Sequence, residues 1–209
     1  GGAGVLISVM ESARRPLSLL LASGSPRRRA LLTELGWRFD CVVPDVDESP
    51  LPGEAPEALC ERLARTKAES LGDREGALVL AADTIVAVDG RILGKPADPA
   101  EGREMLSLLQ GRGHEVLTGV ALRWAGRTVS AVERTAVRFR PLTAGEIAAY
   151  LATGEGTDKA GSYAIQGKGS LLVSAIEGDY FNVVGLPLCR LGRLMESAGL
   201  SLERLWSGL

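Results

Sequence analysis

The sequence predicts an α/β fold with a mixed sheet covered by helices. Apolar runs of strand length alternate with amphipathic segments carrying helix start and stop signals, and the second half holds a long hairpin, which makes the sheet mixed rather than purely parallel. The chain has 209 residues and 45% hydrophobic content, enough for a real core, at a length spanning roughly one to two domains of ~150 residues. We read residues 16–209 as one domain of two lobes and residues 1–15 as a loose N-terminal extension. Its short VLISVM stretch precedes Arg14 and Arg15, whereas a signal peptide carries its basic residues first.

The first strand is the apolar run Leu17 to Ser23, followed directly by a helix. Ser25 suits the N-cap, Pro26 is preset for the first helical position and Gly36 suits the left-handed stop. Phe39 to Pro44 is a second strand candidate, and the acidic, proline-rich DVDESPLPGEAP that follows is too polar and broken for either regular element. Pro56 and Glu57 open a helix to about Leu71, with Leu59, Leu63 and Leu71 inward. ALVLAADTIVAVDG is a buried strand interrupted by Asp83 and Thr84 and closed by a turn at Asp89-Gly90. Asp98 and Pro99 start a helix that ends near Gln110-Gly111. HEVLTGVALRW and TVSAVERTAVRFR then flank Ala125-Gly126-Arg127 as the hairpin. A helix from Thr143 to Ala152, a glycine-rich stretch from Gly154 to Gly169, the apolar LLVSAI and a last helix from Leu186 to Ala198 complete the order.

Composition excludes several classes. With 24 Lys+Arg against 26 Asp+Glu the net charge is -2, which disfavours the continuous basic face that bulk nucleic-acid binding needs. No run of about 18 apolar residues supports a membrane-spanning helix. Cys41, Cys60 and Cys189 are far apart, form no CxxC and, with one histidine, supply no usual structural zinc set; a reducing cytoplasm is the expected compartment. A catalytic Ser/His or Cys/His arrangement would have to use His114, and neither a GxSxG elbow nor a catalytic-cysteine signature is present.

Three segments carry candidate chemistry. SGSPRRR puts Ser23, Ser25, Arg27, Arg28 and Arg29 at a helix N-terminus, whose amides and dipole favour an anion. Cations there oppose the dipole unless an anion is present, so the segment is either a phosphate site or solvated arginines beside an ordinary N-cap. In AADTIV, an ionised Asp83 within a buried strand requires a cation, donors or a cleft opening; the alternative is an aspartate capping a turn at a strand end. Asp47 and Glu48 add carboxylates and GKP adds Lys95, a set suited to divalent-metal-assisted phosphoryl chemistry. TGEGTDKAGSYAIQGKGS lacks GK[ST] and fails as a phosphate-binding P-loop. Its glycines with Asp158, Lys159, Gln166 and Lys168 allow close backbone approach to a ligand, yet taken alone it reads as a flexible surface loop. Tyr163, Tyr180 and Phe181 suit base stacking or, more commonly, the core.

Taken in order, SGSPRR, ADTIV, GKP, TGV, TGE, DKAGSYAIQGKG and EGDYFNVVGLPL resemble the Maf family over most of the chain from Leu17 onward. The resemblance implies a nucleoside triphosphate pyrophosphatase that cuts between the α and β phosphates. It also implies a divalent metal (Mg²⁺ or Mn²⁺), a homodimer, and an elongated two-lobed fold with a central cleft, like that of inosine triphosphate pyrophosphatases. Carried over by motif, Asp83 is the water-activating base or a metal-associated carboxylate, with Glu48 the second carboxylate near the metal. Ser23, Ser25, Arg27 and Arg28 hold triphosphate, while Lys67 and Lys95 add positive charge. Arg28, Thr84 and Gln166 match positions linked to base choice in the dTTP/UTP branch. A hydroxyl and an amide satisfy the donor and acceptor edge of uracil or thymine without a charge. The alternatives are a 7-methyl-GTP pyrophosphatase and a nucleotide-binding regulator of septum formation with secondary catalysis.

Overall fold

In the computed structural model, which describes residues 17–209, the predicted α/β class is realised as a mixed seven-stranded sheet with seven α-helices among those residues. The proposed N-terminal extension lies outside the described residues. The strand order is β2 (Asp40–Val42), β1 (Ser18–Ala22), β3 (Ala77–Val88), β5 (Gly113–Trp124), β6 (Arg127–Phe139) and β7 (Val173–Glu177), with β4 (Arg91–Leu93) pairing β3. Contacts divide the chain into two compact units. Unit 1 takes the described residues up to Asp83, Gly119–Val132 and Gly185–Leu209; unit 2 takes Thr84–Thr118 and Glu133–Val184.

In unit 1, β1 (Ser18–Ala22) pairs in parallel with β2 (Asp40–Val42) on one edge and with the first part of β3 (Ala77–Val88) on the other. The intervening helix α1 (Pro26–Glu34) begins as predicted: the Ser25 hydroxyl accepts the Arg28 amide, and Gly36 follows the helix at φ +78°. Helix α2 (Pro56–Glu69) lays Ala64 and Ala68 against Leu20, Ala22, Val79, Ala81 and Ala121, with Leu71 partly buried beside them. Small residues at this contact let the helix come very close to β5 (Gly113–Trp124): a Cβ at Gly119 would lie 2.2 Å from the Cys60 carbonyl oxygen. Helices α6 (Leu188–Ser197) and α7 (Leu202–Trp206) close this unit. The Trp37 indole donates to the Leu205 carbonyl, and the Leu17 amide to that of Leu209.

In unit 2, β4 (Arg91–Leu93) runs antiparallel to the end of β3, and β7 (Val173–Glu177) antiparallel to β6 (Arg127–Phe139). The Ala125-Gly126 link between β5 and β6, which belongs to unit 1, has φ +45° and +72°, the left-handed pair that matches strand twist in a two-residue hairpin. Helices α3 (Pro99–Leu109) and α4 (Ala144–Ala152) supply Met105, Leu106, Leu109, Ile147 and Tyr150 to a core with Val86, Val116, Val137 and Phe139. Asp98 caps α3 and a Thr143/Glu146 capping box starts α4. β4, α5 (Tyr180–Val184) and α7 are absent from the sequence-based order because three to five residues are too few for a period to register. Among the described residues no helix is long and apolar enough to cross a membrane.

His114 is buried in the unit 2 core, its Nε2 2.6 Å from the Tyr163 hydroxyl and its ring edge-on to Phe139 and Tyr163. Burial, reinforced by Arg112, lowers its pKa from 6.5 to about 4. The unfolded chain therefore takes up this proton first as pH falls. The folded state loses about 3 kcal/mol between pH 6.5 and 4, and nothing from this group above that window. Urea unfolding across that range checks this: His114→Phe should show a shallower acid decline than the parent, and an equal slope would overturn it.

Candidate active site

The end of β1 delivers Ser23 into a tight turn. Its buried hydroxyl oxygen accepts the Ser25 amide at 3.1 Å and Arg28 Nη1 at 3.4 Å. Arg28 Nε donates to the Gly185 carbonyl at 2.7 Å. The guanidinium is thereby folded back onto the turn that precedes the helix, where carbonyl and hydroxyl oxygens offset its opposition to the helix dipole. Burial lowers its pKa to about 10, offset by the carboxylates of Asp83 and Glu48 and reinforced by Arg27, so it stays charged at neutral pH. Of the two readings of SGSPRRR, the solvated-arginine one fails for Arg28, while Arg29 is exposed.

Asp83 lies on β3 and is 7% exposed, which excludes the exposed turn-capping role. Its Oδ1 accepts Lys67 Nζ, from the last turn of α2, at 2.9 Å; the same ammonium lies 2.6 Å from Glu48 Oε1 on the acidic loop. Asp83 Oδ2 is buried with no hydrogen-bond partner. Removal from water raises the Asp83 pKa, opposed by Lys67 and Arg28 and assisted by Glu48. Replacing Lys67 with Met removes the strongest opposing charge. The Asp83 carboxyl should then titrate at higher pH in a carbon-detected NMR titration, and an unchanged or lower midpoint would contradict this arrangement.

Ser23, Ser25, Arg27, Arg28, Glu48, Lys67 and Asp83 thus all fall within unit 1. Thr84, Lys95 and Gln166 stand on three separate elements of unit 2: Thr84 on β3 next to Asp83, Lys95 exposed between β4 and α3, and Gln166 exposed before a short 3-10 turn, Gly167–Leu171. Asp47 stands apart in role, its carboxylate accepting the Ser49 amide at 2.9 Å. The segment after α4, read alone as a flexible surface loop, is instead tightly folded, with Gly161, Ser162, Tyr163, Ala164 and Gly169 buried. Tyr163 belongs to the core, whereas Tyr180 and Phe181 are about 40% exposed. Thr118, whose hydroxyl lies 2.9 Å from that of Thr84, and Glu155, which binds three donors of the glycine-rich segment, have no role in the sequence-based reading. Both sit in recognised motifs, TGV and TGE, and that was the available signal.

Among the described residues no three His, Cys, Asp or Glu side chains form a metal-holding group. The donors nonetheless fit Mg²⁺ or Mn²⁺ taken with a nucleotide. Such cations use one or two carboxylates and fill their remaining positions with phosphate and water oxygens, and here a buried, unpartnered carboxylate oxygen stands beside a half-exposed glutamate.

The Maf-like protein family profile matches residues 18–198. This chain belongs to the Maf-like family. Among its relatives, a Symbiobacterium thermophilum protein named dTTP/UTP pyrophosphatase is 52% identical over 87% of this chain and 94% of its own length. Proteins of the same name from Myxococcus xanthus (54% identity; 88% of this chain, 94% of that one) and Halalkalibacterium halodurans (51%; 88% and 97%) match similarly. Among solved structures, a nucleoside-triphosphatase (dITP/XTP pyrophosphatase) from Mycobacterium abscessus aligns at 23% identity over 60% of this chain and 75% of that one, with a TM-score of 0.38. The expected Maf membership is thereby established over most of the described chain.

Proposed function

We propose that this Maf-like chain hydrolyses dTTP and UTP to the nucleoside monophosphate and pyrophosphate, with residues 16–209 acting as one catalytic domain. The observation that carries the reading is the buried Asp83 carboxylate, with one oxygen on Lys67 and the other unpartnered, in the same unit as the Ser23/Arg28 turn. Relatives about half identical over most of the chain are named for this activity.

Arg27 and Arg28, with Ser23 and Ser25, hold the triphosphate, and Lys67 and Lys95 balance its charge. Glu48 and Asp83 would hold a divalent cation, which when bound would supply charge neutralisation along the anhydride. Asp83 orients a water and accepts its proton as the water oxygen bonds to the α phosphorus. The bond from that phosphorus to the bridging oxygen breaks, and pyrophosphate leaves with the electron pair. Thr84 and Gln166 select the pyrimidine. The protein works in the cytoplasm as a homodimer without a stable nucleic-acid partner; its three free cysteines accord with a reducing compartment.

The test is a panel of nucleoside triphosphates with Mg²⁺ or Mn²⁺ and pyrophosphate detection. Release from dTTP and UTP is expected. Release from 7-methyl-GTP alone would move the protein to another branch, and binding without release from any nucleotide would make it a regulator.

A further inference from the structure

The glycine-rich segment of unit 2 is organised by one carboxylate. Glu155 Oε1 accepts the Tyr150 hydroxyl and the Gly169 amide, each at 2.8 Å, and Oε2 accepts the Lys168 amide at 2.9 Å. The Tyr150 oxygen in turn accepts the Ala164 amide at 3.1 Å. Gln166 therefore lies between two tethered stretches of backbone: Ala164 on one side, held by Tyr150, and Lys168 and Gly169 on the other, held by Glu155. Glycines make the approach feasible. A Cβ at Gly167, where φ is +61°, would lie 2.5 Å from Glu155 Oε2, and one at Gly169 would lie 1.7 Å from the Ala164 carbonyl oxygen. Further support comes from Lys159, whose Nζ donates to the Glu155 carbonyl at 2.5 Å, so the carboxylate's own backbone is anchored as well.

An exposed glutamine on an ordinary loop samples many backbone positions, and an amide that must read a base edge loses discrimination when its carrier wanders. We infer that Glu155, working with Tyr150, is the positioning residue for Gln166: the pair fixes the backbone from which the Gln166 amide discriminates the nucleobase. This rests on the assignment of Gln166 to base choice made above. A carboxylate suits the task because it is acceptor-only, so all three incoming donors are satisfied at once. In Glu155→Gln the side chain keeps its length, but its NH₂ group faces at least one of those donors and that tether is lost.

The experiment measures kcat and KM for UTP, CTP and 7-methyl-GTP in the parent chain, Glu155→Gln, Gln166→Ala and the double variant, together with amide hydrogen exchange over residues 164–169. Glu155→Gln should speed exchange at Lys168 and Gly169 and reduce the preference for UTP at least tenfold, chiefly through KM. It should add little once Gln166 is alanine, because residues acting as one unit are not additive. Tyr150→Phe removes one donor and one acceptor without charge; it provides the same comparison in milder form if Glu155→Gln fails to fold. A preference lost in Gln166→Ala but kept in Glu155→Gln, or an equal fall for all three nucleotides in Glu155→Gln, would overturn the positioning role. A preference kept in Gln166→Ala would overturn the base assignment beneath it, and the positioning role with it.

Discussion

Asp83→Asn is expected to lose about 10²–10⁴-fold in kcat while nucleotide affinity stays within a few-fold of the parent. The substitution keeps the shape of a buried side chain but replaces the unpartnered Oδ2, or its equivalent, with a group that takes no proton. Lys67 keeps Glu48 as its partner, so the neighbouring cation is not stranded, and the arginine turn at Ser23 is untouched. Because desolvation raises the Asp83 pKa, activity in the parent should fall with decreasing pH at a higher value than an ordinary aspartate gives. The residual rate of Asp83→Asn should lack that acid limb. Turnover by pyrophosphate release, pH profiles and calorimetric binding of UTP check all three statements; a kcat near that of the parent would remove Asp83 from its proposed role.

Gly119→Ala is expected to be the most damaging single-methyl change in unit 1. The added Cβ would lie 2.2 Å from the Cys60 carbonyl oxygen and 2.8 Å from the Glu61 amide nitrogen, both backbone atoms of α2 that no rotamer change can move. Overpacking of this kind costs about 1–3 kcal/mol, toward the upper end here because a whole helix must shift. The shift would also carry Lys67, in the last turn of α2, away from Asp83. Stability and turnover should therefore fall together, whereas Gly192→Ala, inside α6 with nothing within 4 Å of the added methyl, should leave turnover unchanged and raise stability by about 0.5–1 kcal/mol. Thermal unfolding of the two variants decides the matter, and a Gly119→Ala variant as stable as the parent would show that α2 adjusts freely.

The physics of single elements was legible in the sequence wherever a local signal existed. Ser25, Asp98 and Thr143 start their helices as their residue types require, and β3 runs through Asp83 as its apolar flanks imply. A carboxylate inside that strand is an anomaly in the sequence itself, and its Lys67 partner on α2 fits the cost of burying it alone. Long-range pairings left no local mark. Nothing around Arg28 signals the carbonyl of Gly185, 157 residues away, and nothing in TGE signals that Glu155 gathers amides more than ten positions later. The glycine-rich segment looked loose because glycine and charge are common in loops. Its order comes from backbone contacts that only glycine permits, and composition reads those as freedom.

The Leu17–Leu209 and Trp37–Leu205 hydrogen bonds set an order on synthesis. Unit 1 draws on residues 185–209 as well as on the chain up to Asp83, so β1 emerges from the ribosome long before the segment that completes its surroundings. Unit 2 ends at Val184 and holds its partners within a shorter span, so it can consolidate first. The half of the protein carrying Asp83, Lys67 and the arginine turn can thus be completed only after unit 2 has been synthesised. Of the charged groups, Arg28 is the one that waits longest, because the Gly185 carbonyl that accepts its Nε is made only after the whole of unit 2.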